Sequence, residues 1–124
     1  KIAQSVGADR KHVATVLDLS DLDGSVTQLG KLVAQDVFDR LVSNAPSVSW
    51  IDSSRRDFII KENQLAADRL MDTATQKQLG RLLGLSVIVT GTVTELGDSA
   101  RIQLRAVEIE TARVIGSAST TVVP

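Results

Sequence analysis

The last third of the chain constrains the fold most. From Ser86 to Val123 it carries three β segments separated only by short turns. The first, SVIVTGTVTEL, spans Ser86 to Leu96 and is dense in β-branched residues. Gly97-Asp98 has the composition of a tight turn. Arg101-Ile102-Gln103-Leu104-Arg105 then alternates strictly, which predicts one wet and one dry sheet face. The phase slips at Ala106-Val107 and Ile109 keeps the new register, so a β-bulge is expected there. Glu110 to Arg113 is a second turn, and Val114 to Val123 a last strand interrupted by Gly116. Three strands joined this closely must run antiparallel. Their dry face needs a cover. With only Phe38, Trp50 and Phe58 as aromatics, that cover must be built from Val, Leu, Ile and Ala, the mix of a sheet packed by helices.

The preceding residues supply the helices. Val13 to Leu19 is a short β-branched run and reads as a buried strand. Val26 to Val42 places Leu29, Val33, Val37 and Leu41 on one helical stripe, widened by Leu32, Ala34 and Phe38. Ser25 and Gln28 have capping-box spacing, which predicts Ser25 as the N-cap. Ser43 to Pro46 ends that helix. Val48 to Ile51 is a second short strand, and Asp52 or Ser53 caps a helix over Ser54 to Leu65. Ala66 to Asp72 reads equally as more helix or as a loop. Thr73 to Leu83 is a third helix, with Ala74, Leu79, Leu82 and Leu83 as its apolar side and Gly84 as its C′ residue. The expected fold is therefore α/β: one mixed sheet, with two βα crossovers and then a three-strand antiparallel meander, packed by about three helices. Residues 1–11 are read as a lead-in or the end of an upstream element, and 12–124 as one domain. A chain starting at Lys1 is expected to be a piece of something longer, with any upstream signal or anchor outside it.

Composition narrows the functions. With 14 basic and 15 acidic residues there is no excess positive charge to follow a phosphate backbone, and aromatics are too few for base stacking. No nucleic-acid partner is expected. Cysteine is absent, which removes thiolate nucleophiles and zinc–sulfur sites. His12 is the one histidine and reads as a surface or strand-edge residue. No apolar run is long enough for a membrane span. Nothing calls for a cofactor or a metal.

One motif invites an enzyme. Asp21-Leu22-Asp23-Gly24-Ser25 follows an apolar strand, as does the nucleophile loop of magnesium-dependent, haloacid-dehalogenase-like phosphatases. There Asp21 would attack phosphorus, and Asp23 would protonate the leaving group and activate water. Such chemistry also needs a hydroxyl, for which Thr90, Thr92 or Thr94 are available, and a cation, Lys61 or Lys77, but no spacing singles any of them out. The plainer reading is an acidic turn before a helix N-terminus, favoured by the helix dipole and by side-chain-to-backbone bonds. An EF-hand placement puts Leu19 and Gly30 where carboxylates are required, and fails. Gly80 and Gly84 suit close helix–sheet packing, and Gly91 a bulge or close approach. Arg55 and Arg56, with Arg101, Gln103 and Arg105, are the residues expected to offer an interaction surface. Glu95 is expected to face Arg101 across the hairpin. The last strand is a candidate edge for capturing a peptide.

A resemblance adds to this. The matching residues are Val16-Leu17-Asp18-Leu19, Leu29-Gly30, Glu62-Asn63-Gln64, Thr73-Ala74 and Leu79-Gly80-Arg81-Leu82-Leu83-Gly84. They continue through Val87 to Glu95, Arg101 to Thr111, and Val114. This pattern resembles the CsgG-like and FlgO-like bacterial envelope families, related in fold to the TolB amino-terminal domain. The resemblance implies a non-catalytic periplasmic or outer-membrane-associated domain. Its relatives assemble secretion channels, support flagellar or surface structures, or regulate cell-wall synthases by contact. The implied partner is another envelope protein or a second copy of the chain. Two departures stand out: this sequence has neither a lipobox cysteine nor a long amphipathic hairpin of the kind that builds a channel barrel. An accessory or scaffold role is therefore expected rather than a channel.

Overall fold

A computed structural model describes residues 12–65 and 72–122. The expectations for residues 1–11 and for the stretch 66–71 lie outside those residues. Among the described residues strand β1, Val13–Val16, is an inner strand of a five-stranded sheet of order β2-β1-β3-β4-β5. It runs parallel to β2, Ser49–Ile51, on one side and to β3, Val87–Leu96, on the other. Strands β4, Ser99–Glu108, and β5, Val114–Val122, complete an antiparallel meander. A strand flanked on both sides and covered on both faces can carry no outward polar residue without a partner. Thr15, the polar exception in β1, is fully buried and donates its hydroxyl to the Ile51 carbonyl at 2.7 Å.

Helices lie on both faces. Helix α1, Gln28–Asn44, packs Ala34 and Leu41, with Val33, Val37 and Phe38, onto Ala14, Val16, Val87, Val89 and Ala106. Helices α2, Ser53–Glu62, and α3, Thr73–Leu83, bring Ile60 and Leu79 onto Leu17, Ile88 and Ile109 of the opposite face. This is the mixed sheet with two crossovers and a meander that the sequence leads one to expect. A register shift does fall at Ala106/Val107, but the extra residue is Ile115 on β5, since Ala106 pairs with Gly116 and Val107 with Val114. The expected slip within β4 does not occur: β4 pairs with β3 without a break, and Ile109 continues the face of Arg105, where α2 and α3 cover it.

Several local details differ. Ser25 is not the N-cap. Thr27 is, its hydroxyl accepting from Gly30 N at 3.1 Å, while the Ser25 amide is committed to the preceding turn. An antiparallel bridge from Val26 to Ser20 keeps the chain extended up to that point. Helix α2 starts at Ser53, capped by Asp52, and stops at Glu62 rather than Leu65. In α3 the covered side is Thr75, Leu79 and Gly80, whereas Ala74 and Leu82 are exposed. Gly80 sets this phase by letting the helix rest directly on Ile109 and the Leu85 carbonyl. Gly84, at φ 70°, ends α3 in the left-handed region. Glu95 pairs with Ala100, so it does not face Arg101, whose partner is Thr94.

Candidate functional site

The chain leaves β1 for β2 on one side and later fills the other side with β3. In open α/β sheets a crevice forms outside the carboxyl ends of the strands at such a reversal. Here it is a cavity of about 780 Å³ between the β1–α1 loop and α2, with Leu17, Ile60 and Leu65 in its wall and Lys31 and Lys61 among its polar lining. Arg56 stands in that wall but is only 2% exposed. Its Nη1 donates to the Val16 carbonyl at 2.5 Å, and its Nε and Nη2 each reach Asp57 Oδ1 at 3.1 Å. Nη2 also lies 3.5 Å from Asp18 Oδ1. Arg56 is therefore not part of an interaction surface. Its guanidinium straps α2 to the end of β1, and both carboxylates are partly solvated, so the charge is not stranded. Arg55 is exposed, with its backbone amide on the Asp52 cap.

The acidic loop closes on itself. Asp21 Oδ1 accepts from the amides of Asp23 at 3.2 Å and Ser25 at 3.0 Å, and Asp23 Oδ1 from the Ser25 amide at 2.9 Å. Gly24 completes the turn at φ 92°. A hydrogen bond between the two carboxyl groups raises the Asp21 pKa and holds Asp23 down at about 2, where the Ser25 hydroxyl and amide assist. Asp21 and Asp23 line one cavity with Thr94 and Glu95, while Lys31 and Lys61 line the other. The hydrolase arrangement, two aspartates with a lysine at one strand end, is not assembled. Among the described residues no group of three acidic or histidine side chains could hold a metal ion. His12 pairs through Nδ1 with Ser86 Oγ at 2.8 Å.

A different surface was only half visible in the sequence. Helices α2 and α3 cover their sheet face at Ile88 and Ile109, Thr90 beside them is also buried, and β4 and β5 beyond stand open. In register across it stand Thr90, Thr92 and Thr94 on β3, Arg105, Gln103 and Arg101 on β4, and Ser117, Ser119 and Thr121 on β5. The three β4 residues are exposed, while Ile102 and Leu104 between them, and Ala106 after them, face the α1 core. The alternation Arg-Ile-Gln-Leu-Arg announces the middle row. The outer rows need the strand register, which depends on where the bulge falls. Gly91 permits close pairing here, since a Cβ on it would lie 2.2 Å from the Gln103 carbonyl oxygen. Gly97 makes the hairpin turn at φ 67°.

One structural residue escaped a physical reading of the sequence. A Cβ on Gly30 would fall 1.9 Å from the Leu19 carbonyl oxygen, and Leu19 N donates to the Gly30 carbonyl at 3.3 Å. The Leu29-Gly30 pair of the family pattern is thus where the first turn of α1 touches backbone beyond β1.

Comparison with known proteins agrees with this geometry. The fold is shared with the LpoB C-terminal domain from Escherichia coli at TM-score 0.72 and 15% identity, covering 99% of this chain and 93% of that one. Lipoprotein GNA1162 from Neisseria meningitidis superimposes at TM-score 0.64 and 18% identity, covering 91% and 81%. The PelC dodecamer from Paraburkholderia phytofirmans gives TM-score 0.55 and 14% identity, covering 93% and 73%. A search of curated proteins finds no match. The model of the FlgO protein family matches residues 2–124, so the chain belongs to the FlgO family.

Proposed function

We propose that this chain is a non-catalytic interaction domain of a bacterial cell-envelope protein, acting in the periplasm or at the outer membrane through contacts with another envelope protein or with itself. One observation carries the reading: a FlgO-family fold whose acidic loop and buried arginine are spent on internal bonds, while an ordered polar sheet face stands open. The similar folds of a lipoprotein and of a dodecamer-forming protein support the placement and the assembly role. No helix among the described residues is long and apolar enough to cross a membrane, a statement that leaves strands aside. On this reading residues 12–124 act as one unit, and Arg101, Gln103 and Arg105, with Arg55 at a second site, are the contact residues. The test is affinity capture from envelope extracts with wild type and an Arg101→Ser/Arg105→Ser variant. A periplasmic or outer-membrane partner lost with the variant supports the reading. Fractionation of the protein to the cytoplasm refutes it.

A further inference from the structure

Among the described residues β5 is the long edge of the sheet without a neighbour on one side, and its backbone polarity follows from the hairpin before it. The Val89 and Gly91 carbonyls and the Val93 amide of β3 all point toward the β1 side. Even-numbered β3 residues therefore bond to β4, consistent with the two-residue turn that pairs Leu96 with Ser99. Carried across the register, Ala100, Ile102, Leu104 and Ala106 bond to Val122, Thr120, Ala118 and Gly116. Ser117, Ser119 and Thr121 then direct their amides and carbonyls away from the sheet, with no partner strand among the described residues.

Natural edges of this kind are usually blunted by charge or proline. Val114 to Val122 contains neither, and its one bulge, at Ile115, leaves Gly116 to Val122 regular. We infer that β5 pairs antiparallel with β5 of a second copy, with Ser119 on the two-fold axis. This rests on the self-association reading above and gives self-association an edge interface of its own, leaving Arg101, Gln103 and Arg105 as the face for another envelope protein. In that register Ser119 faces Ser119, and Ser117 faces Thr121. Outward-pointing residues thus meet outward-pointing residues, making about six backbone hydrogen bonds. The alternate pairs are Gly116 with Val122 and Ala118 with Thr120, so no bulky or charged side chain opposes another. The stretch lies wholly on the regular side of the bulge. Arg101 and Arg105 sit one strand further in. Across the join they are separated by three strand spacings, roughly 14 Å, beyond the Debye length of about 8 Å in physiological salt. An antiparallel pair centred on one residue is two-fold symmetric, so the contact is isologous. The product is one ten-stranded sheet with a continuous hydroxyl-and-arginine face.

Because the chain has no cysteine, one introduced thiol reports the contact cleanly. Hydrogen-bonded antiparallel partners stand about 5.5 Å apart at Cα, within the range a disulfide spans. Mild oxidation of Ser119→Cys is expected to give a covalent dimer, and Gln103→Cys, one strand inward on the same face, is not. Ser119→Pro removes an outward amide that β4 does not use. With an unchanged circular dichroism spectrum it should weaken dimerisation in sedimentation equilibrium at least tenfold. Ser119→Lys, which keeps the amide but charges the axis, should do the same if the proline disturbs folding. Wild type sedimenting as a monomer at every concentration overturns both the interface and the self-association reading. Wild type that self-associates but neither cross-links at position 119 nor weakens with proline or lysine overturns the interface alone.

Discussion

Replacing Gly30 with alanine sets two physical effects of opposite sign against each other. Judged as a helix residue, alanine is favoured over glycine by about 1 kcal/mol. Judged by its surroundings, the new methyl falls 1.9 Å from the Leu19 carbonyl oxygen, where ordinary contact begins near 3.4 Å. The first turn of α1 must retreat by about 1.5 Å, and the obstacle is backbone, which cannot swing aside. Overpacking of this kind costs about 1–3 kcal/mol or more. The retreat also stretches the Leu19 N to Gly30 O bond, already 3.3 Å, which forfeits roughly another 1 kcal/mol. Net destabilisation of about 1–3 kcal/mol is expected, lowering Tm by roughly 3–15 °C for a domain of this size. Urea and thermal unfolding measure it. Gly84→Ala is the comparison, since its Cβ meets nothing within 4 Å and only the left-handed backbone resists, at about 1 kcal/mol. A Gly30→Ala protein as stable as wild type, or more so, would refute the steric argument and leave helix propensity in charge.

Thr27→Ala should cost about 1 kcal/mol in urea unfolding through loss of the N-cap, and Ser25→Ala clearly less, because Ser25 contributes mainly its backbone amide. Arg56→Met should cost about 2–4 kcal/mol by unpairing the Val16 carbonyl and releasing α2, whereas Asp57→Asn, on a 64% exposed side chain, should cost under about 1 kcal/mol. Carboxyl NMR titration should show the Asp21–Asp23 pair releasing protons in two separated steps, with Asp23 near 2 and Asp21 above the ordinary carboxylate value. The signs differ. The lowered Asp23 pKa adds stability that is lost as pH falls toward 2, while the raised Asp21 pKa favours the fold at low pH and loses that contribution as pH rises through its folded value. Asp21→Asn should therefore bring Asp23 back toward the ordinary value; an unchanged Asp23 titration would show the two are not coupled.

Periodicity made the meander and the α1 stripe legible, since each is a local pattern that tertiary structure then uses unchanged. The change of pattern at Ala106-Val107 marked the place of the bulge but not its strand, because cover by α2 and α3 at one end of an unbroken β4 face mimics a slip. What escaped depends on contacts distant in sequence. Arg56, written beside Arg55 at a helix start, has the appearance of a solvated charge. Only the return of α2 over the end of β1 buries it against Val16, 40 residues earlier. Gly30 reads as a poor helix former until the Leu19 carbonyl is set beside it. The Ser25 and Gln28 spacing suggested a cap by pattern, but the Asp21 and Asp23 turns claimed Ser25 first and moved the helix start to Thr27. Of the open face, the β4 row was readable from alternation, and the Ser/Thr rows beside it became a surface only through register.

The inner place of β1 also shapes how the chain reaches its native state. It is the first of the described strands to be made, yet Thr15 waits 36 residues for Ile51 and 73 for Ile88. Whether it emerges from a ribosome or a translocation pore, the apolar run from Val13 to Leu19 has no complete sheet to enter until β3 arrives. Such long-range pairing slows folding and leaves sticky segments uncovered meanwhile. The fold thus favours release of the whole chain before collapse, and a chaperone that shields the amino-terminal strand would raise its yield.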